Sequence, residues 1–585
     1  MTRLKELLGG IPYAAEIYWQ LRQKESPTTV GLNLSRLKKV LPGWVETARA
    51  AREDAAPGKK VLVFGMIHYW LEHTTLLSLA LAAQGHEVTF AFMPYSHWRK
   101  PENRFDLRRQ NAYVKDVLKP AADLLNIVSF FDPHPSTATG LRPGFTQDAS
   151  PGAGLARSEV EGHQARPQRS RRAPGAALHL ESGTLHDQAL RDTQYSLLTE
   201  EVEVSSDIYN LRLERNEAMA AAARAHLESS RPDVVVTPNG SILEFGVLYH
   251  AARALDIPVS TFEFGEQNYR MWLAQDDDVM RQDTTSLWEA RGGIPLSEAE
   301  WDRVRTMFAA RQGASVFETF ERTWQTAESK GAREIRTELG LDDRPLAFLP
   351  TNVLGDSLTL GRQIFVGMTD WIRRTIRWFG EHSEYQLVVR VHPGEGIGWG
   401  PSTYDLLEGA FPEFPLNVRV LPAGYKINSY DLVAAARAGL VYTTTLGLEM
   451  AMLGLPVIVL GQTHYRGKGF THEPPDWDAY LAALQGALEN PTDFAPDETA
   501  VKTAWTYAYR FFFEYPQPFP WHIQHFWDCL DEWPLERVLS DEGRAAFGDT
   551  FAALVGDKEL FIEDRRLVLS EGEGSKIENQ RPSPK

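Results

Sequence analysis

The stretch Val441–Thr471, VYTTTLGLEMAMLGLPVIVLGQTHYRGKGFT, constrains the fold of this chain more than any other. It opens on a strand end and a turn of three threonines. LGLEMAML carries the leucines, methionines and alanine of a buried helix, and LPVIVL is the short β-branched run that fills a parallel strand covered on both faces. A glycine-punctuated loop follows. Strand, turn, helix, strand is half of a doubly wound α/β unit, whose ligands bind at the carboxyl ends of the strands. Thr443, Thr444 and Thr445 sit where the helix begins, and Glu449 lies one helical turn beyond Thr445. The loop after the next strand adds Tyr465, Arg466 and Lys468. These residues suit a phosphorylated or carboxylated ligand.

At 585 residues the chain exceeds one core, so two or more domains are expected. A net charge of −17 argues against general electrostatic binding to nucleic acid or to an anionic bilayer. The single cysteine, Cys529, excludes an internal disulfide and a cysteine-based metal cluster, in keeping with a reducing cytoplasm. Neither a secretory leader nor an apolar run of about 18 residues is visible.

In chain order, residues 1–58 read as helical and partly amphipathic, with Leu4, Leu7, Leu8, Ile11, Ile17, Tyr18 and Leu21 at roughly helical spacing. The plain reading is a helix packed on the first domain; the competing one is an interfacial helix on the inner membrane face. KKVLVFGMI (59–67) is a buried strand, followed by a helix to Gly85 and a strand over Glu87–Phe92. This opens a Rossmann-like lobe, but FGMIHYW lacks the G-x-G-x-x-G dinucleotide fingerprint. His68 and His73 near that strand's end read first as structural. Leu124–Phe131 is a third strand. Residues 133–186 are rich in Pro, Gly, Ser, Ala and Arg without apolar periodicity, and Arg169, Arg171 and Arg172 fall in what reads as a flexible insertion.

Regular structure is expected again from the helix Asp207–Ser229, then a strand at 233–240, a helix, and a strand in PVSTFEFGE. Glu263 and Glu266 fall at or just past that strand's end, where side chains face a cleft and can act as acid, base or nucleophile; capping a loop is the alternative. Asp276, Asp277 and Asp278 read as a loop rather than a metal site. Residues 290–343 form a helical linker. A second α/β series (344–490) follows, with YQLVVRVHPGE ending in Arg390, His392, Pro393 and Glu395. The aromatic helices of 491–569 could cross back onto both lobes, and 570–585 reads as a disordered tail. The first lobe spans 59–289.

VVRVHPGE, INSYDL and the Val441–Thr471 stretch, in that order, resemble the bacterial capsule polysaccharide biosynthesis family, which includes β-Kdo transferases of the GT-B fold. The resemblance covers roughly 344–480. It implies two Rossmann-like lobes facing a cleft, with helical N- and C-terminal extensions. His392 and Pro393, beside Arg390, would contact the donor's phosphate together with Thr443–Thr445, and Glu449 would hold the ribose hydroxyls. The earlier glutamate of the usual Glu-x7-Glu pair falls at Val441, so that pattern is half met. Asp356 sits where relatives carry an aspartate.

The expected function is a glycosyltransferase of surface polysaccharide, with Glu263, Glu266 and Asp356 as candidate catalytic carboxylates. Its donor is a nucleotide sugar, CMP-Kdo by resemblance, and its acceptor a glycan or glycolipid. No metal or other cofactor is expected, and the expected setting is the cytoplasm or the inner membrane face. Two readings compete: a UDP-sugar 2-epimerase-like enzyme, and a catalytically silent scaffold binding polysaccharide or assembly partners.

Overall fold

The computed structural model describes residues 7–22, 32–94, 97, 99–131, 182–320, 327–397 and 400–561. The arginine cluster at 169–172, most of the 133–186 insertion and the 570–585 tail lie outside them.

Valine-, leucine- and phenylalanine-rich runs build two sheets. The first holds β1 (Lys60–Gly65), β2 (Glu87–Phe92), β3 (Leu125–Ser129), β4 (Val234–Pro238), β5 (Val259–Glu263) and β6 (Arg270–Gln275). The second holds β7 (Leu346–Pro350), β8 (Gln386–Arg390), β9 (Val418–Leu421), β10 (Ala438–Val441) and β11 (Val457–Val459). A late strand, β12 (Gln517–Pro518), returns to the first sheet. The orders are β12-β6-β5-β4-β1-β2-β3 and β11-β10-β7-β8-β9. β1 to β5 pair in parallel, β6 and β12 are antiparallel additions, and the second sheet is wholly parallel.

In each sheet the winding reverses beside its first strand, placing β4 next to β1 and β10 next to β7. At such a switch point the connections leave in opposite directions and open a crevice at the strands' carboxyl ends. The architecture is GT-B-like, two Rossmann-like lobes across a cleft.

The strands of the second sheet are covered on both faces. Leu346, Phe348, Val388, Val441, Val457 and Val459 enter one apolar cluster, while their neighbours Ala347, Leu349, Leu387, Val389, Leu440 and Ile458 enter the other. That period of two explains why these segments read as unbroken apolar runs.

The segment read as a linker packs onto the second lobe. Its helix Glu298–Gln312 sends Val304, Met307 and Phe308 into that lobe's core. After the helix Glu498–Tyr509 and a π-helical turn, Arg510–Glu514, the chain crosses back. Tyr507 and Phe511–Phe513 belong to the second lobe's core, whereas Phe519, Trp521 and Phe526 belong to the first's.

Two elements depart from the sequence reading. Regular structure is present ahead of Asp207: a helix Ser182–Leu197 covers the end of the stretch read as an insertion. Its anchoring residues are polar (Gln188, Asp192, Thr193 and Ser196, all buried), so no apolar stripe announced it. Asp192 accepts hydrogen bonds from Asn216 Nδ2 (2.7 Å) and from the backbone N–H of Leu243, and pairs with fully buried Arg212 at 3.4 Å. The other is β6, a strand whose sequence RMWLAQ alternates burial only weakly.

Near the N-terminus, Ala15 and Trp19 of the helix Ala14–Arg22 are buried, while Leu7, Ile11, Tyr13, Ile17, Tyr18 and Leu21 are exposed. Among the described residues no helix is long and apolar enough to cross a membrane.

Candidate active site

A cavity of about 410 Å³ opens between the lobes, within the range of small-molecule sites. From the second lobe it is lined by Asn352, Asp356, Arg390, His392, Pro393 and Thr443–Thr445; Glu449 lies at its wall. From the first lobe come Glu266, Arg270 and Trp272. The structure therefore brings together nine of the sequence candidates: Glu266, Asp356, Arg390, His392, Pro393, Thr443, Thr444, Thr445 and Glu449.

The second lobe's wall is built at its switch point. β7 delivers Thr351 and Asn352, and β10 delivers the threonine turn. Asn352 Oδ1 accepts from the Thr443 N–H at 3.1 Å, stitching the two strand ends together. Thr443 Oγ1 is buried without a hydrogen-bond partner among the described residues. Tyr465 does not line the cavity. It stands behind the turn, donating its hydroxyl to Thr444 O at 2.8 Å. A Cβ on Gly447 would fall 2.1 Å from that hydroxyl, so the glycine makes room for the brace. The following helix, Leu446–Met452, is short, and the N-cap Thr445 makes no side-chain cap.

β8 ends in the Arg390–Glu395 turn. The His392 N–H donates to Thr351 Oγ1 (3.0 Å), and Gly394 N–H donates to His392 Nδ1 (3.0 Å). Nδ1 is thus an acceptor and Nε2 carries the proton. Burial, reinforced by the charge of Arg390, pushes the imidazole's pKa down to about 4, so His392 is neutral near pH 7. Glu395 accepts from Leu354 N–H (2.9 Å) and from Thr403 N–H (2.7 Å) and Oγ1 (2.8 Å), bracing the turn from behind.

Arg390 is only 5% exposed and donates its Nη1 to a carbonyl, Tyr425 O, at 3.3 Å. Desolvation lowers its pKa to about 10. No carboxylate lies within ion-pair distance of it among the described residues. A guanidinium so placed is poorly compensated until an anion arrives.

The three carboxylate candidates have different settings. Glu263 ends β5, half-buried, accepting from Asn239 Nδ2 and the Phe264 N–H, both at 3.1 Å. It does not line the cavity itself. Burial raises its pKa to about 7, with Asp356 of the other lobe adding repulsion and the two hydrogen bonds opposing. Asp356 is also pushed up by burial, while the Leu358 N–H (3.0 Å) favours its charge. Glu266 instead binds Arg311 Nη1 at 2.7 Å.

Arg311, from the linker helix, was not singled out in the sequence. Its Nε donates to Glu449 Oε1 at 2.6 Å, and Tyr430 OH donates to Glu449 Oε2 at 2.7 Å. Burial works against the arginine's charge, but Glu266 and Glu449 outweigh it and hold its pKa up. Arg270, Asn352, Arg362 and Tyr430 are likewise cavity residues that sequence reading missed. Only Asn352 carried a signal, its place just past a strand end.

Arg466 and Lys468 are not brought to the cavity. Arg466 donates to Val459 O (3.1 Å) and faces Glu473 at 3.8 Å; Lys468 lies 6.0 Å from the Trp288 and Tyr507 rings. Gly467 and Gly469 beside them are exposed and hold positive φ, 76° and 86°.

His73 is fully buried among Phe262, Phe264 and Phe519, its Nε2 3.1 Å from Trp521 O, as a structural histidine; His68 is exposed. Asp276 accepts from the Val259 N–H at 3.0 Å and pairs with Arg253 at 2.6 Å, Asp278 caps the turn Val279–Arg281, Asp277 faces Arg281, and no cluster suited to a metal ion occurs among the described residues.

No family model and no curated protein matches the chain. Among solved structures it is similar to the KpsC β-Kdo 2,4 transferase of Thermosulfurimonas dismutans, at 16% identity and TM-score 0.32, over 47% of this chain and 78% of that one. The β-Kdo 2,7 transferase of the same organism's KpsC matches at 14% identity and TM-score 0.27, over 43% and 73%. The UDP-GlcNAc 2-epimerase of Neisseria meningitidis matches at 11% identity and TM-score 0.24, over 78% and 99%.

Proposed function

We propose that this chain is a nucleotide-sugar-dependent glycosyltransferase of surface polysaccharide assembly, with the donor's phosphate seated against the second lobe. The observation that carries the reading is the convergence of Arg390, neutral His392 and the Thr443–Thr445 turn at one switch-point crevice. In such a transfer the nucleotide leaves with growing negative charge. Fixed donors aimed at it lower the barrier because they need no reorganisation as the charge develops. Arg390 supplies a cation, His392 an Nε2–H, and the threonines their hydroxyls.

Glu263 and Asp356 stand on opposite lobes with their carboxyls pushed up. A raised pKa suits a carboxyl for accepting a proton from an acceptor hydroxyl, and of the two only Asp356 lines the cavity, so this role falls to Asp356. Glu266 is taken up by Arg311 at 2.7 Å and acts as part of that pair. CMP-Kdo is the donor this reading favours, on the resemblance of the motifs, and a glycan or lipid-linked glycan the acceptor. Arg466 and Lys468 take no part at the phosphate.

The test is transfer or donor hydrolysis by the purified protein with CMP-, UDP- and GDP-sugars, with and without a membrane extract as acceptor source. Release of nucleotide dependent on one donor is expected. Turnover of none would overturn the enzyme assignment, and a sugar rearranged without any acceptor would point to an epimerase.

Seating on a membrane surface belongs to the same reading. Its support is the exposed apolar set Leu7, Ile11, Ile17 and Leu21 on the N-terminal helical segment. Co-sedimentation with lipid vesicles, lost on replacing Ile17 and Leu21 by Ser, is the expected result; equal sedimentation of both proteins would remove it.

A further inference from the structure

The resemblance assigns the glutamate of the helix after β10 to the ribose hydroxyls. The geometry points elsewhere: we infer that Glu449 is a positioning residue that anchors Arg311, and that the nucleotide is recognised without a ribose contact to this carboxylate. The inference rests on the cavity being the nucleotide site.

Both oxygens of Glu449 are engaged, Oε1 by Arg311 Nε at 2.6 Å and Oε2 by Tyr430 OH at 2.7 Å. The side chain is 4% exposed, too little surface for a two-hydroxyl contact from a bound sugar. A ribose could reach it only by displacing Arg311. That would leave a guanidinium that is itself 9% exposed with one carboxylate instead of two.

Arg311 has a structural reason to be held. It leaves the helix Glu298–Gln312 of the second lobe and reaches Glu266, just past the end of β5 in the first. Its guanidinium also lies over the Phe512 ring, 4.9 Å from the centroid, on the segment that crosses back between lobes. The bridge Glu266–Arg311–Glu449 thus fixes a cation on the cavity wall and ties the two lobes at that wall. Glu449 sets where the arginine stands, and Tyr430 sets where Glu449 stands.

The two roles differ in what a missing hydroxyl does. A hydrogen bond from ribose to a buried carboxylate is worth about tenfold or more in affinity. If Glu449 held the ribose, the 2′-deoxy and 3′-deoxy nucleotides would bind the unaltered protein about tenfold more weakly, and Glu449→Gln would narrow that gap. If Glu449 anchors Arg311, the variant weakens ribo- and deoxynucleotides by one common factor, and Arg311→Lys on top of it adds little.

The experiment is calorimetric titration of the full-length protein with CMP and UDP, each beside its 2′-deoxy and 3′-deoxy counterparts. It is done on the unaltered protein, on Glu449→Gln, and on Glu449→Gln with Arg311→Lys. The expected result is a deoxy-to-ribo affinity ratio within about twofold of one in the unaltered protein, unchanged by Glu449→Gln. The unaltered protein alone suffices should the variants fail to fold. Discrimination of about tenfold at either hydroxyl, narrowed in Glu449→Gln or seen in the only protein that folds, overturns this inference and leaves the glycosyltransferase reading standing. Failure of every nucleotide to bind overturns both.

Discussion

Gly394 N–H donates to His392 Nδ1 at 3.0 Å, two residues along the same turn, and this fixes the histidine's proton on Nε2. With its pKa pushed down to about 4 by burial first and Arg390 second, the ring acts as a neutral donor. Nucleotide affinity should therefore show no step from titration of His392 between about pH 5.5 and 8, and His392→Ala should weaken binding by about tenfold across that range. Titrations at three pH values check it. An affinity that rises steeply on acidification through pH 6.5 and flattens in His392→Ala would mean an imidazolium instead.

Arg390 trades stability for binding. Its buried guanidinium has a carbonyl for a partner and no carboxylate in reach among the described residues, so the unliganded protein bears a desolvation cost. Arg390→Met should raise the melting temperature of the empty protein by a few degrees, on the order of 1 kcal/mol, and reduce nucleotide affinity by about 10- to 100-fold. Thermal melts with and without nucleotide measure both. A variant that melts lower and binds equally well contradicts the assignment.

Glu263 makes stability depend on pH in a definite direction. Its folded pKa, about 7, lies above the ordinary value of 4.5, so its contribution is fully present below about pH 4.5 and is lost as pH rises through 7. Glu263→Gln removes that loss. Relative to the unaltered protein, the variant should gain up to about 3 kcal/mol between pH 5 and pH 8. Urea denaturation at the two pH values tests this, and a difference that does not move with pH contradicts it.

Asp192 holds the helix Ser182–Leu197. It is fully buried, pairs with Arg212, and accepts from Asn216 and the Leu243 N–H. Asp192→Ala strands Arg212, which keeps Glu244 at 3.3 Å, and should cost about 3–5 kcal/mol in chemical denaturation. A cost under about 1 kcal/mol would show that the network does not hold this helix.

What the sequence could reveal followed from period and place. Strands buried on both faces, such as VIV at β11 and LVV at β8, advertise themselves, and residues just past them, His392 and Thr443–Thr445, inherit a predictable position. Polar anchoring leaves no such trace: the helix Ser182–Leu197 is tied by Asp192 and Gln188, and its texture merges with the insertion. Contacts between distant segments are equally silent. Nothing in the linker marks Arg311 as the partner of Glu266 and Glu449, and nothing in GQTHYRGKGFT says that Arg466 turns to Glu473 rather than to the cavity. The first lobe's β6 escaped because its burial alternates too weakly to stand out from a loop.

Hydrogen–deuterium exchange of the full-length protein, with and without saturating CMP and UDP in separate runs, tests the central claim most directly, since it asks where a nucleotide sits. The account predicts slowed exchange in peptides covering 390–395 and 441–449, with the loop 466–469 unchanged. Protection confined to other segments, or none with either nucleotide bound, would contradict it.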